Sequence, residues 1–155
     1  MCQFKSAIIL KDRVFIPDYD SHSDMLRELK IEDTRANAER LFVRAELVPK
    51  GGDYASDIAT WKYRVDQDIL PDWYVPAYDE KRMRDAVAEW AKDRIHVGVD
   101  GLKIDGCAGH IIIDCKNVTI YGNAQVKYIC GNALLIDRKN KKIYHSGAWS
   151  LEVQK

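Results

Sequence analysis

The run from Gln3 to Leu10 is short, extended in character and rich in Ala and Ile, which predicts a strand. Lys11-Asp12 predicts a turn and Arg13 to Ile16 a second strand. Pro17 ends that strand, because proline has no N–H to give to a ladder. Asp18 to Asp24 is a polar loop, in which Ser21 or Ser23 can cap a short helix through Lys30. Met25, Leu26 and Leu29 form the apolar stripe of that helix, and Thr34 to Arg40 predicts a second short one. In the strand predicted over Leu41 to Val48, Val43, Ala45 and Leu47 make an apolar face. Phe42 and Val48 bracket Arg44 and Glu46 on the other face. Pro49, Gly51 and Gly52 make the loop that follows. Trp61, Tyr63 and Val65 alternate with Lys62, Arg64 and Asp66, the pattern of a half-buried strand.

Pro71 and Pro76 bracket an aromatic loop. From about Asp79 to Ile95 the spacing turns helical, with Met83, Val87, Trp90 and Arg94/Ile95 as a stripe widened by Ala86 and Ala91. Such a stripe attaches a helix to a core. Gly98 and Gly101 follow, and from about residue 99 helical spacing gives way to short strand signals. Gly122-Asn123-Ala124 recurs as Gly131-Asn132-Ala133, which fits a short β-solenoid with small residues at its corners. Leu134 to Ile136 and Ile143 to His145, joined by a charged tip, fit a hairpin in a meander instead. The fold class read from the pattern is α+β. A mixed or antiparallel sheet with one long packed helix, residues 1–98, is followed by a small all-β segment, residues 99–155, either meander or short solenoid.

Composition narrows the class of function. The 155 residues carry 24 basic and 24 acidic side chains, so no large positive field exists for a nucleic-acid coat or a polybasic membrane binder. Neither nucleic acid nor membrane is therefore an expected partner. No apolar run approaches the ~18 residues of a membrane span. The Ala7–Leu10 run is too short for a signal-peptide core, and the expected location is a cytoplasm. The cysteines, Cys2, Cys107, Cys115 and Cys130, fit no zinc spacing. Cys115 and Cys130 are expected as small buried residues. No P-loop, GxGxxG, GxSxG or HExxH occurs, so no cofactor is expected.

Several segments together carry a resemblance. They are Met1-Cys2-Gln3-Phe4-Lys5-Ser6, Lys11-Asp12-Arg13-Val14, Tyr19-Asp20-Ser21-His22, Val65-Asp66-Gln67-Asp68 and Pro71-Asp72-Trp73-Tyr74. The chain resembles a group of uncharacterised proteins of gut bacteria and their phages, in which a similar N-terminal segment precedes short Gly-Ser-Ala-Thr-Val-like repeats. The resemblance implies a bacterial or phage source. It transfers no activity and no catalytic residue.

Three groups of side chains are candidates for chemistry. Cys2, freed of Met1, would place a thiol beside an α-amino group that can serve as its base. His22 is the alternative base, oriented by Asp20 or Asp24. Asp18, Asp20, His22 and Asp24 alternate as cation ligands would, but Ser23 stands where a calcium loop needs glycine and Leu29 where it needs glutamate. That loop is read as solvated, and no metal is expected there. Asp66 and Asp68, followed by Trp73 and Tyr74, gather carboxylates beside aromatics that could stack a ligand. The reading that follows is a binding or assembly protein, acting through an unidentified protein partner or by self-association. The alternatives are a thiol enzyme built on Cys2 and His22, and a small-ligand binder built on Asp66, Asp68 and Trp73.

Overall fold

The computed structural model describes residues 4–105, 109–121, 126–130, 134–137 and 142–145. The chain divides into two compact units, with the boundary between Trp90 and Ala91.

The N-terminal unit is built on four antiparallel strands in the order β2-β1-β3-β4. They are β1 (Lys5–Leu10), β2 (Val14–Phe15), β3 (Phe42–Val48) and β4 (Lys62–Val65). Two short helices, α1 (His22–Glu28) and α2 (Arg35–Ala38), join β2 to β3. Each starts where a hydroxyl side chain accepts from the first turn: Ser21 Oγ from Asp24 N–H, Thr34 Oγ1 from Asn37 N–H.

The central strands are buried on both sides. Ile8 and Phe42 pack with Met25, Leu26 and Ala38 under α1 and α2. Ala7, Ile9, Val43, Ala45 and Leu47 fill the opposite face. The long helix α3 (Pro76–Arg94) packs against this sheet, burying Met83 and Val87. Both buried residues belong to the predicted stripe. Double coverage explains why the face of β3 that carries Arg44 and Glu46 also carries Phe42 and Val48.

The start of α3 lies a turn earlier than the apolar spacing predicts, at Pro76 rather than Asp79. Proline at the first helical position loses nothing, since its missing N–H has no intrahelical acceptor there. Asp79 still serves the helix start, because its Oδ2 accepts from Val75 N–H at 2.7 Å. Trp90 is half-buried and its Nε1 donates to Asp18 Oδ1 at 3.1 Å.

In the C-terminal unit the strands alternate between two sheets. β5 (Ile95–Val97), β7 (His110–Ile113) and β9 (Val126–Cys130) form one sheet. β6 (Lys103–Asp105), β8 (Val118–Tyr121) and β10 (Leu134–Asp137) form the other, with β11 (Lys142–His145) at its edge. All pairings within the two sheets are parallel except β10 with β11, which form the hairpin read from the sequence. Each coil thus contributes one strand to each sheet, the arrangement of a short solenoid rather than a meander. Ile95 aligns with Ile111 and Ile111 with Tyr128, roughly 16–17 residues per coil. Ile104, Ile112, Val118, Ile120, Val126 and Ile129 form the core between the sheets.

The corners of these coils repeat as well. Gly98 and Gly101 take positive φ of 66° and 74°. One coil later Asp114 and Asn117 take the same conformation, at 52° and 51°. Gly98 N–H donates to Ile113 O, and Gly101 N–H to Lys116 O, both at 2.9 Å. Gly, Asn and Asp are the residues that occupy this left-handed region with least strain. The two Gly-Asn-Ala segments that suggested the repeat lie outside the described residues.

Among the described residues no helix is long and apolar enough to cross a membrane.

Candidate functional site

The polar residues of the Asp18–Asp24 loop turn to separate partners. Asp20 Oδ1 accepts from Lys5 Nζ at 2.9 Å and from Ser6 N–H at 3.1 Å. Asp24 pairs with Arg27 on α1 at 2.7 Å. His22, the first residue of α1, points away from both, toward the sheet. Its Nε2 lies 3.2 Å from Ala45 O, and its Nδ1 lies 3.3 Å from Asp66 Oδ2. The carboxylate beside His22 is therefore Asp66, which sequence reasoning had placed in a different group. Cys2 lies outside the described residues.

Asp66 is positioned by the end of the sheet. Where β4 stops, Asp66 N–H still donates to Arg44 O at 2.9 Å. Gln67 then continues the ladder with its side chain. Its Oε1 accepts from Arg44 N–H at 2.8 Å, and its Nε2 donates to Phe42 O at 3.1 Å and Ile69 O at 2.6 Å. A side-chain amide mimics a strand in this way, and it fixes the turn carrying Asp66 and Asp68.

That turn walls an open cavity of about 420 Å³. Asp66, Gln67, Asp68 and Ile69 line one side, and Asp33, Thr34, Arg35 and Arg44 the other. Arg44 pairs with Asp33, and Arg35 with Glu39 at 3.1 Å. The two basic side chains of the lining are thus already neutralised, while Asp68 is exposed and has no cationic partner among the described residues. Trp73 and Tyr74 are not part of this wall. Trp73 Nε1 donates to Arg40 O at 2.7 Å, and the Tyr74 hydroxyl lies 3.1 Å from that of Tyr63. Burial, and then the hydroxyl contact with Tyr74, push the Tyr63 hydroxyl pKa up.

One further side chain completes the surroundings of His22. Glu46, only 4% exposed, projects from β3 and holds Arg64 of β4 through Oε2, with Nε at 2.8 Å and Nη2 also bonded. His22, Glu46 and Asp66 place one ligand-type atom each within 4.8 Å of one another. Sequence reasoning read Glu46 as one polar position of a strand. The available signal was the apolar pair Phe42 and Val48 on its face, which implies that Glu46 is covered too.

The C-terminal unit brings His96 and His110 together, with Nε2 of the first 3.0 Å from Nδ1 of the second. Cys115 is buried, as expected, and its Sγ donates to His96 O at 3.4 Å. Burial, then the charge of Arg94, push the His96 pKa below its ordinary value, against a smaller opposing effect of Asp93. The unfolded chain therefore takes up a proton near pH 6.5 while the folded chain does not. Stability is expected to fall as pH drops below that value, and to stop falling once His96 protonates in the fold. Urea midpoints at about pH 7.5 and 5.5 test this, since a His96→Asn variant should lose less stability over that interval than the wild type. An equal loss in both would assign the acid sensitivity to other groups.

Comparison of the chain with protein-family models, with curated proteins and with solved structures gives no match in any of the three.

Proposed function

We propose that the chain is a binding protein whose N-terminal unit takes a small polar ligand, carrying an amine or several hydroxyls, in the cavity beside the Asp66–Ile69 turn. The cavity itself carries this reading: its polar groups converge from the end of β4, from β3 and from the segment that opens α2. Ala38 and Ile69 supply an apolar patch, and the acidic groups outweigh the neutralised arginines. A few placed polar groups around an apolar patch are what a small-molecule site requires. The excess of carboxylate favours a donor-rich or cationic ligand over an anion.

The test is thermal denaturation against a panel of small amines, amino acids and sugars. A true ligand at about 100 times its Kd adds about 2.7 kcal/mol of stability, a readily measured rise in Tm. Asp68→Asn should abolish that rise while leaving the unliganded Tm unchanged, because Asp68 is exposed. A panel without any hit, or a hit indifferent to Asp68→Asn, removes this reading. It would leave self-association, which the sheet ends β5 and β6, each with a single neighbour in its sheet among the described residues, support. Sedimentation at two protein concentrations would then decide.

A further inference from the structure

We infer that His22, Asp66 and Glu46 form a site for a divalent transition-metal ion of the zinc type, bound through His22 Nδ1 and the two carboxylates.

The argument begins with the ring of His22. Ala45 O can only accept a hydrogen bond, so Nε2 at 3.2 Å carries the hydrogen. In the neutral ring Nδ1 then presents its lone pair to the Asp66 carboxylate. A lone pair facing an anion is stabilised by a positive particle between them, either a proton or a metal ion.

The distance favours the metal ion. A charge-assisted N–H···O bond closes to about 2.7–2.9 Å, whereas Nδ1 and Oδ2 stand 3.3 Å apart. Ligand bonds of ~2.0–2.1 Å at tetrahedral angles put neighbouring ligand atoms about 3.3 Å apart. The backbone carbonyl on the far nitrogen matches the arrangement that orients a metal-bound imidazole.

Glu46 supplies the third ligand. Both of its bonds to Arg64 fall on Oε2, and neither uses Oε1. Glu46 belongs to the sheet and is buried, while the Asp66 side chain is 55% exposed and is the one that can adjust to close the set on an ion.

An independent observation points to the same spot. Ser6 lies directly opposite Glu46 in the β1–β3 register, so both side chains leave the same face of the sheet. Ser6 Oγ is buried and has no hydrogen-bond partner among the described residues. An orphaned buried hydroxyl is costly, and a water on an ion held by Glu46 would satisfy it. Three protein ligands plus a water is the coordination of an open zinc site.

The experiment uses the full chain, stripped with chelator and titrated with Zn²⁺ by calorimetry near neutral pH. One equivalent should bind. Asp66→Asn and His22→Asn should each weaken binding at least about tenfold, the loss of a direct ligand exceeding that of an outer-shell partner. Asp66 is exposed enough that its variant should fold as the wild type does, which circular dichroism checks. Long-range ¹H–¹⁵N spectra should show His22 as the Nε2–H tautomer, with Nδ1 shifting on addition of Zn²⁺. Ser6→Ala should weaken binding less than either ligand variant.

Asp68→Asn touches the cavity but not the ligand set, so zinc affinity should survive it even though the proposed organic ligand does not. The two readings can therefore fail separately. Three outcomes would overturn the metal site: no zinc uptake, uptake indifferent to Asp66→Asn and His22→Asn, or a Co²⁺ complex whose spectrum shows only thiolate charge transfer. The last would assign the metal to the cysteines.

Discussion

Trp61→Ala is expected to destabilise the N-terminal unit by about 3–5 kcal/mol, the range for a large aromatic removed from a core. Trp61 is 1% exposed. Its ring meets Tyr54 edge-on, with centroids 5.6 Å apart at 81°. Its Nε1 donates to both the carbonyl and the hydroxyl of Ser56, at 3.1 and 3.0 Å. Its own carbonyl accepts from Arg84 of α3 at 2.9 Å, so the residue sits where a loop, a strand and the long helix join. Trp61→Phe keeps most of the apolar volume but loses the N–H and part of the ring, for about 1–2 kcal/mol. Urea unfolding followed by circular dichroism separates the two variants. A loss below about 1 kcal/mol for the alanine variant would mean that the loop closes over the gap.

The second large effect concerns a charge. Lys5 is 1% exposed, with Nζ 2.9 Å from Asp20, 3.1 Å from Tyr19 O and 4.8 Å above the Trp90 ring. Removing one partner of a fully buried ion pair costs about 3–5 kcal/mol, because the other charge is left in a poor dielectric. Asp20 retains 27% exposure, which admits water to the ammonium once its carboxylate is gone. Asp20→Ala is therefore placed lower, at about 2–4 kcal/mol. Lys5→Met keeps the length of the side chain and removes its charge. The double variant Lys5→Met/Asp20→Ala should then be more stable than Asp20→Ala alone. A double variant that is less stable would show that Lys5 is held by its other contacts rather than by Asp20.

Much of this architecture follows from local pattern. Alternation marks β3, and the spacing of Met83 and Val87 marks the buried side of α3. Ser21, one of the two serines that the sequence offers as a cap, is the cap, and it is legible because its hydroxyl acts within a single turn. Lys5 was less visible, although it shares a strand face with Ala7 and Ile9, and a charge in an apolar row is itself a sign of a buried pair. The meeting of His22 with Asp66 has no local signature. It depends on β3 lying between β1 and β4, so that the turn after β4 comes level with the start of α1. Strand order is set by tertiary packing, and no periodicity in a single strand records it. The same reason left the C-terminal segment open between meander and solenoid, since a short apolar run reads alike in parallel and antiparallel pairing.

The repeated corners of the C-terminal unit have a genetic consequence. Gly98 and Gly101 turn one coil, and Asp114 and Asn117 turn the next in the same way. A segment of one coil begins and ends at equivalent points of the stack, displaced by a single strand spacing. An in-frame duplication or deletion of that length would therefore add or remove a layer while every remaining layer kept its neighbours' geometry. The domain carrying the candidate site would be untouched by the event. Insertion or loss of one coil length can thus make the stack longer or shorter in steps, and the reach of this part of the molecule becomes a trait that varies without disturbing the candidate site.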